Sequence, residues 1–129
     1  MKKRILVVDD DPGIARLLLR LLSRDYDLIV SDSGKDVLPA YQKHKPHLVL
    51  LDIKLPDTCG IEILKSLLAR DPKALVIMLS GNVHLRVARE TMKLGAVEYI
   101  CKPFDFDHLK ELIRSTLEQS RPNRADAGP

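Results

Sequence analysis

Five short, unbroken apolar runs punctuate the chain: Ile5 to Val8, Leu28 to Val30, Leu48 to Leu51, Leu75 to Leu79 and Tyr99 to Cys101. None alternates apolar with polar positions, so each reads as a strand buried on both faces, as in a parallel sheet. Helix-period segments lie between them. Ile14, Leu17, Leu18, Leu21 and Leu22 recur at helical spacing behind Pro12, with Asp11 placed to cap the first turn. Ile61, Leu64 and Leu68 mark a helix after Gly60, and Phe106, Leu109, Ile113 and Leu117 mark another that starts beside Asp105 and Asp107. The segment Ser33 to His44 holds Pro39, which has no backbone N–H, so this helix must kink or begin late. Val83 to Leu94 has the thinnest apolar stripe, which leaves more of its surface for solvent and partners.

Strands alternating with helices predict βαβ units: a doubly wound α/β fold, five-stranded and parallel, with helices on both faces. At 129 residues there is room for one such domain. We place it at residues 1–119. Residues 120–129, Ser120 and the RPNRADAGP that follows it, have no periodicity and read as a flexible tail or the start of a linker.

Composition narrows the function classes. Hydrophobic residues make up 45% of the chain but aromatic ones only 4%, so aliphatic side chains must fill the core. The formal charge of +3 comes largely from residues near the termini, such as Lys2, Lys3, Arg4, Arg121 and Arg124, and no basic stripe interleaves with aromatics. Direct nucleic-acid binding by this domain is therefore not expected. Two cysteines make no disulfide framework, and the basic start runs into an apolar stretch cut short at once by acids, which is neither a secretion signal nor a membrane span. The expectation is a cytoplasmic protein with no membrane association. Cys101 reads as a small buried hydrophobe. His44, His47, His84 and His108 fall on separate elements, read as surface residues, and offer no zinc site.

In a parallel βα sheet all strands end on one edge, where ligands bind near the reversal of winding. The residues at those ends are Asp9 and Asp10, Asp52, Ser80 and Lys102. Acids after a strand often serve only as caps, and Asp11 is read that way; Ser80 and Tyr99 taken singly would suit a turn and a packing role. Carboxylates brought together repel one another unless a cation compensates them. A hard, oxygen-seeking ion such as Mg2+ (or Mn2+) suits this ligand set, in which no soft donor competes.

Four stretches in order, LVVDDDP, VLLDIKLPDTCG, VIMLSGN and GAVEYICKPF, resemble the receiver domains of two-component response regulators, over residues 4 to about 118. The resemblance implies a flavodoxin-like sheet of strand order 2-1-3-4-5. It implies that Asp52 is the phosphoacceptor, that Asp10 and Asp52 bind the metal directly and Asp9 through water, and that the Lys54 carbonyl completes the protein ligands. It further implies that Lys102 pairs with the phosphoryl oxygens, that Pro103 is cis, that Ser80 and Tyr99 form the switch pair, and that Lys54 and Asn82 tune dephosphorylation.

The implied function is a switch that takes a phosphoryl group from a sensor histidine kinase or phosphotransfer protein. It would then change its helix 4, strand 5 and helix 5 surface to control an output domain or downstream protein, in transcription by the resemblance, or to form a phosphorylation-dependent homodimer. It would be no enzyme beyond its own phosphoryl transfer and dephosphorylation. Thr58 and Cys59 depart from the family pattern in the loop after Asp52 without removing an implied ligand. Aspartyl-phosphate hydrolases place a second Asp two residues after the nucleophile, where this chain has Lys54. The DDDPG turn lacks the glycines of a dinucleotide-binding fold. The remaining rival is a pseudo-receiver, an interaction module of the same fold that is never phosphorylated.

Overall fold

The computed structural model describes residues 2–81 and 85–127, with backbone only for Leu85 and for 119–127. Asn82, Val83 and His84 lie outside the described residues. The elements alternate as the pattern requires: β1 (Lys3–Val8), α1 (Pro12–Leu22), β2 (Tyr26–Ser31), α2 (Val37–His44), β3 (Leu48–Asp52), α3 (Gly60–Arg70), β4 (Val76–Gly81), α4 (Leu85–Leu94), β5 (Glu98–Lys102) and α5 (Phe106–Ala127). All strand pairs are parallel, in the order β2-β1-β3-β4-β5. This is the expected flavodoxin-like sheet, and its winding reverses between β1 and β3.

Two apolar layers sandwich it. Leu6, Val8, Val49, Leu51, Val76 and Met78 face α2, α3 and α4, where Val37, Ile63, Leu64 and Leu67 meet them. Ile5, Val7, Leu48, Leu50, Ile77 and Leu79 face α1 and α5, where Leu18, Leu22, Leu109, Ile113 and Leu117 close the other layer. Successive strand residues thus serve opposite layers, which is why the runs are unbroken. Leucines such as Leu64 and Leu67, with no exposed surface, each contribute about 1.5–3 kcal/mol by burial.

Local sequence explains the element boundaries. Asp11 accepts a hydrogen bond from the Gly13 amide at 2.8 Å, capping α1, and Pro12 takes the first helical position. The helix around Pro39 does begin late: a 3-10 turn, Gly34–Asp36, precedes α2, so Pro39 falls in the first turn, where a missing N–H costs nothing. On α4, Thr91 is fully buried while Met92 is exposed, as a thin apolar stripe demands. Two expectations fail. Leu17 is exposed, because five leucines within α1 wrap too far around it to share one face. Cys101 is also exposed: β5 is an edge strand, and only Ile100 on it is buried. Helix α5 continues to Ala127, beyond the expected domain end at 119, since helical backbone needs no apolar stripe to propagate from a packed start. Among the described histidines, His47 is half-buried and its Nδ1 accepts a bond from the Arg4 amide at 3.0 Å.

Candidate phosphoacceptor site

The site occupies the carboxyl edge of the sheet. Asp9 follows β1 and is fixed by its amide, which donates to the Ser31 carbonyl at 3.1 Å. Asp52 closes β3, Ser80 lies near the end of β4, and Lys102 closes β5. Period-two alternation assigns these side chains to sides. Asp52 and Lys102 continue the set facing α1 and α5, whereas Ser80 and Tyr99 continue the opposite set, with Tyr99 packed against the α2–α4 layer.

The acids converge as the strand ends imply. Carboxylate oxygens of Asp9, Asp10 and Asp52 lie within 4.8 Å of one another. Asp9 and Asp52 are 2% and 6% exposed, and Asp10 is open to solvent, so the cluster is buried on one side and reachable by water on the other. Three carboxylates and no sulfur or imidazole make a donor set that fits a hard divalent cation retaining some of its waters.

Lys102 is the one cation bonded to the cluster among the described residues. Its Nζ donates to Asp9 at 2.6 Å and to Asp52 at 3.3 Å. Burial opposes the ammonium charge, but the bond and the charge of Asp9, with those of Asp52, outweigh it and raise the Lys102 pKa. Asp52 is shifted upward, by burial first; Lys102 pulls it down, Asp9 pushes it up, and the burial wins. One ammonium against three carboxylates leaves the pocket undercompensated, which favours uptake of a further cation.

Several surrounding groups complete the arrangement. The Lys54 amide donates to Asp52 Oδ1 at 3.3 Å, orienting the carboxylate. The Lys102–Pro103 peptide is cis. The Ser80 hydroxyl is fully buried and turned to the Gly81 carbonyl at 3.2 Å. Tyr99 already points inward: its hydroxyl is buried with no hydrogen-bond partner, and burial, with the nearby Cys101 thiol and Asp52, pushes its pKa up to about 12. The thiol is close enough to act electrostatically without forming a well-aligned bond.

Two residues escaped the sequence reading. Gly60 starts α3 so close to β3 that an added Cβ would stand 2.2 Å from the Asp52 carbonyl oxygen and 2.8 Å from Ile53 Cα. The glycine itself was visible, but its neighbour was not. Asp57, in the loop after β3, accepts bonds from the Gly34 and Lys35 amides at 2.7 and 2.9 Å. A loop Asp beside Pro56 reads as turn chemistry, and no local signal names a partner 23 residues away.

With fold and site in place, comparison with known proteins identifies the class. The family model for the response regulator receiver domain matches residues 5–114, and the chain belongs to that family, the receiver component of two-component systems. It is 36% identical over 118 residues to sporulation initiation phosphotransferase F of Bacillus subtilis, covering 91% of this chain and 95% of that protein. It is 34% identical to the DNA-binding transcriptional regulator NtrC of Proteus hauseri, covering 97% of this chain but 28% of that one. The chain spans about a quarter of the length of most of the transcriptional regulators it matches. Among solved structures, a CheY-like response regulator receiver domain protein from Methanospirillum hungatei superposes with a TM-score of 0.90 at 31% identity, covering 95% of this chain and 99% of that one. No helix among the described residues is long and apolar enough to cross a membrane.

Proposed function

We propose that this receiver is a phosphorylation-operated cytoplasmic switch in which Asp52 accepts a phosphoryl group from a sensor histidine kinase or phosphotransfer protein. The observation that carries the reading is the convergence of Asp9, Asp10 and Asp52 within 4.8 Å, bonded by a single lysine. Asp10 and Asp52 would hold magnesium directly, Asp9 through water, and the Lys54 carbonyl would complete the protein ligands. The ion, when bound, neutralises charge on the phosphoryl oxygens. The residues of the chain do the rest. The Lys54 amide orients the Asp52 carboxylate for in-line attack, and Lys102 lies 3.3 Å from it, within reach of oxygens that arrive there. Asp52 thus acts as nucleophile, and the chain catalyses only its own modification and its reversal.

The acyl phosphate then adds negative charge and new acceptor oxygens. The Ser80 hydroxyl, now spent on a neighbouring carbonyl, is free to turn toward them. Tyr99 shares its side of the sheet and carries the change to the surface of α4, β5 and α5, which controls an output domain or downstream protein, in transcription by the reading we favour, or a second copy of the chain. Lys54 and Asn82 set how long the phosphoryl group survives.

The test is incubation with a small phosphodonor such as acetyl phosphate and magnesium. One phosphoryl group should appear on the wild type and none on Asp52→Asn. Undiminished labelling of that variant would reject the assignment, and an unlabelled wild type would favour the pseudo-receiver. In the labelled protein, amide signals around Arg86, Arg89 and Lys93 should shift; changes confined to the carboxylate cluster would reject the coupling to α4.

A further inference from the structure

We infer that Asp57 is a positioning residue for the phosphoacceptor, stapling the loop that follows it to the connection between β2 and α2. The loop from Ile53 to Gly60 closes on itself at its base. The Gly60 amide donates to the Ile53 carbonyl, Lys54 pairs with Cys59 in an isolated antiparallel bridge, and the Leu55 amide donates to the Thr58 carbonyl at 3.2 Å. Those contacts fix the loop's own shape but not its angle to the sheet. Its tip would swing about the base unless something beyond the loop held it.

Asp57 does so. Both of its oxygens accept backbone amides, Gly34 at 2.7 Å and Lys35 at 2.9 Å, the first two residues of the 3-10 turn ahead of α2. Such amides lack partners within a helical turn and ordinarily bond the residue just before it. Here that residue, Ser33, makes no capping bond and donates instead to Asp36 at 2.8 Å. The cap comes from the far side of the β3 loop. Thr58 adds shape to the bond: its methyl occupies the space above Gly34, where a Cβ would stand 2.2 Å away. The two amides hold the Asp57 carboxyl below its ordinary range, so the staple stays charged at neutral pH.

The consequence reaches the site through Lys54. Its amide orients Asp52, and in the function proposed above its carbonyl binds the metal, so the inference rests on that reading. Freed at its tip, the loop would let Lys54 drift from both tasks. Asp57 touches neither phosphoryl group nor ion.

Magnesium titration followed by calorimetry and by amide NMR, well below the unfolding midpoint, tests this on the intact chain. Asp57→Ala should weaken magnesium binding about three- to tenfold, below the 10–100-fold typical of groups that bond a ligand directly. It should also speed hydrogen exchange of the Lys54 amide and lower the metal-free unfolding midpoint by a few degrees, as loss of a cap does, leaving the variant folded throughout the titration. Asp57→Asn, keeping one acceptor oxygen, should fall between. Gly34→Ala, whose methyl would crowd Thr58 and stand 3.3 Å from an Asp57 oxygen, should reproduce the loss while the carboxylate itself is retained, and Ser33→Ala should leave affinity at the wild-type value. Wild-type affinity and Lys54 exchange in Asp57→Ala, with Gly34 and Lys35 amide signals visibly released, would overturn the staple alone. A wild type that binds no magnesium would instead overturn the functional reading, and the staple's purpose with it.

Discussion

Replacing Asp52 by Asn should make the metal-free protein more stable, although it removes a buried ion pair. The reason is the count of charges around that carboxylate. At an effective dielectric constant of about 20, the Lys102 ammonium at 3.3 Å attracts it by about 5 kcal/mol. Asp9, with an oxygen within 4.8 Å, repels it by about 3.5 kcal/mol, and the solvent-exposed Asp10 repels it by less. The repulsions together offset most of the attraction, so burial, the largest influence on this carboxylate, turns the balance against the ionised form. Solvent around the exposed Asp10 trims its share, and Asn keeps an oxygen for Lys102. We expect Asp52→Asn to gain about 1–2 kcal/mol, or about 4–8 °C in unfolding midpoint, in a chelating buffer at pH 7.

Two further conditions sharpen this prediction. The folded pKa of Asp52 is raised above its ordinary value of 3.8, so its ionisation costs stability above the folded pKa and costs nothing below the unfolded one. The advantage of the variant should therefore shrink as pH falls through the acidic range. Magnesium at ten times its dissociation constant would add about 1.4 kcal/mol to the wild type, and less to a variant missing one ligand charge, so it too should close the gap. Urea and thermal unfolding, with and without magnesium, measure all three. An Asp52→Asn protein less stable than wild type in chelator would show that the lysine compensates the cluster fully and that the electrostatic reasoning is wrong.

The remaining predictions concern its neighbours. Lys102→Met should destabilise by about 3 kcal/mol at neutral pH, because Asp9 and Asp52 would be left buried without a counter-ion, and urea unfolding should show the loss easing as pH is lowered and the acids protonate. Gly60→Ala should cost at least about 2 kcal/mol and slow phosphodonor labelling, since the backbone at Asp52 must move to admit the methyl; normal labelling with normal stability would show the helix start yields freely. Lys54→Ala should shorten the lifetime of the phosphorylated form after donor removal, by opening the approach of water, whereas a wild-type or slower decay would show that its exposed side chain guards nothing.

Much of the architecture was legible because burial on both faces leaves an unmistakable mark: β1, β3 and β4 are apolar without interruption, so their ends, and hence the acids and the lysine, could be placed in order. Asp11 and Pro39 were legible for a different reason, since caps and missing donors act within one turn. What could not be read were contacts between segments remote in the chain. Nothing near Asp57 announces that its partners are the amides after β2. Cys101 looks like core in a list of apolar residues, and only the order of strands reveals that β5 lies at the edge. Tyr99 illustrates the third limit, because the direction a side chain faces within a half-covered layer depends on how closely the next helix packs.

The strand order also divides the site into a fixed half and a yielding half. The strands β1 and β3, which carry the acids, are each laddered to neighbours on both sides, so releasing either breaks two sets of pairings. Strand β5 is laddered on one side only. Local opening, which follows the path of fewest broken ladders, will reach β5 long before it reaches the carboxylates. Lys102 goes with that strand, and each excursion of the edge withdraws the one ammonium while the acids stay in place. Slow exchange at Leu50 and Leu51 beside fast exchange at Ile100 and Cys101 would be its signature. The charge state of the carboxylate pocket is in this sense governed by the least protected strand of the sheet, and a partner that clamps the β5 edge would tune the acids without touching them.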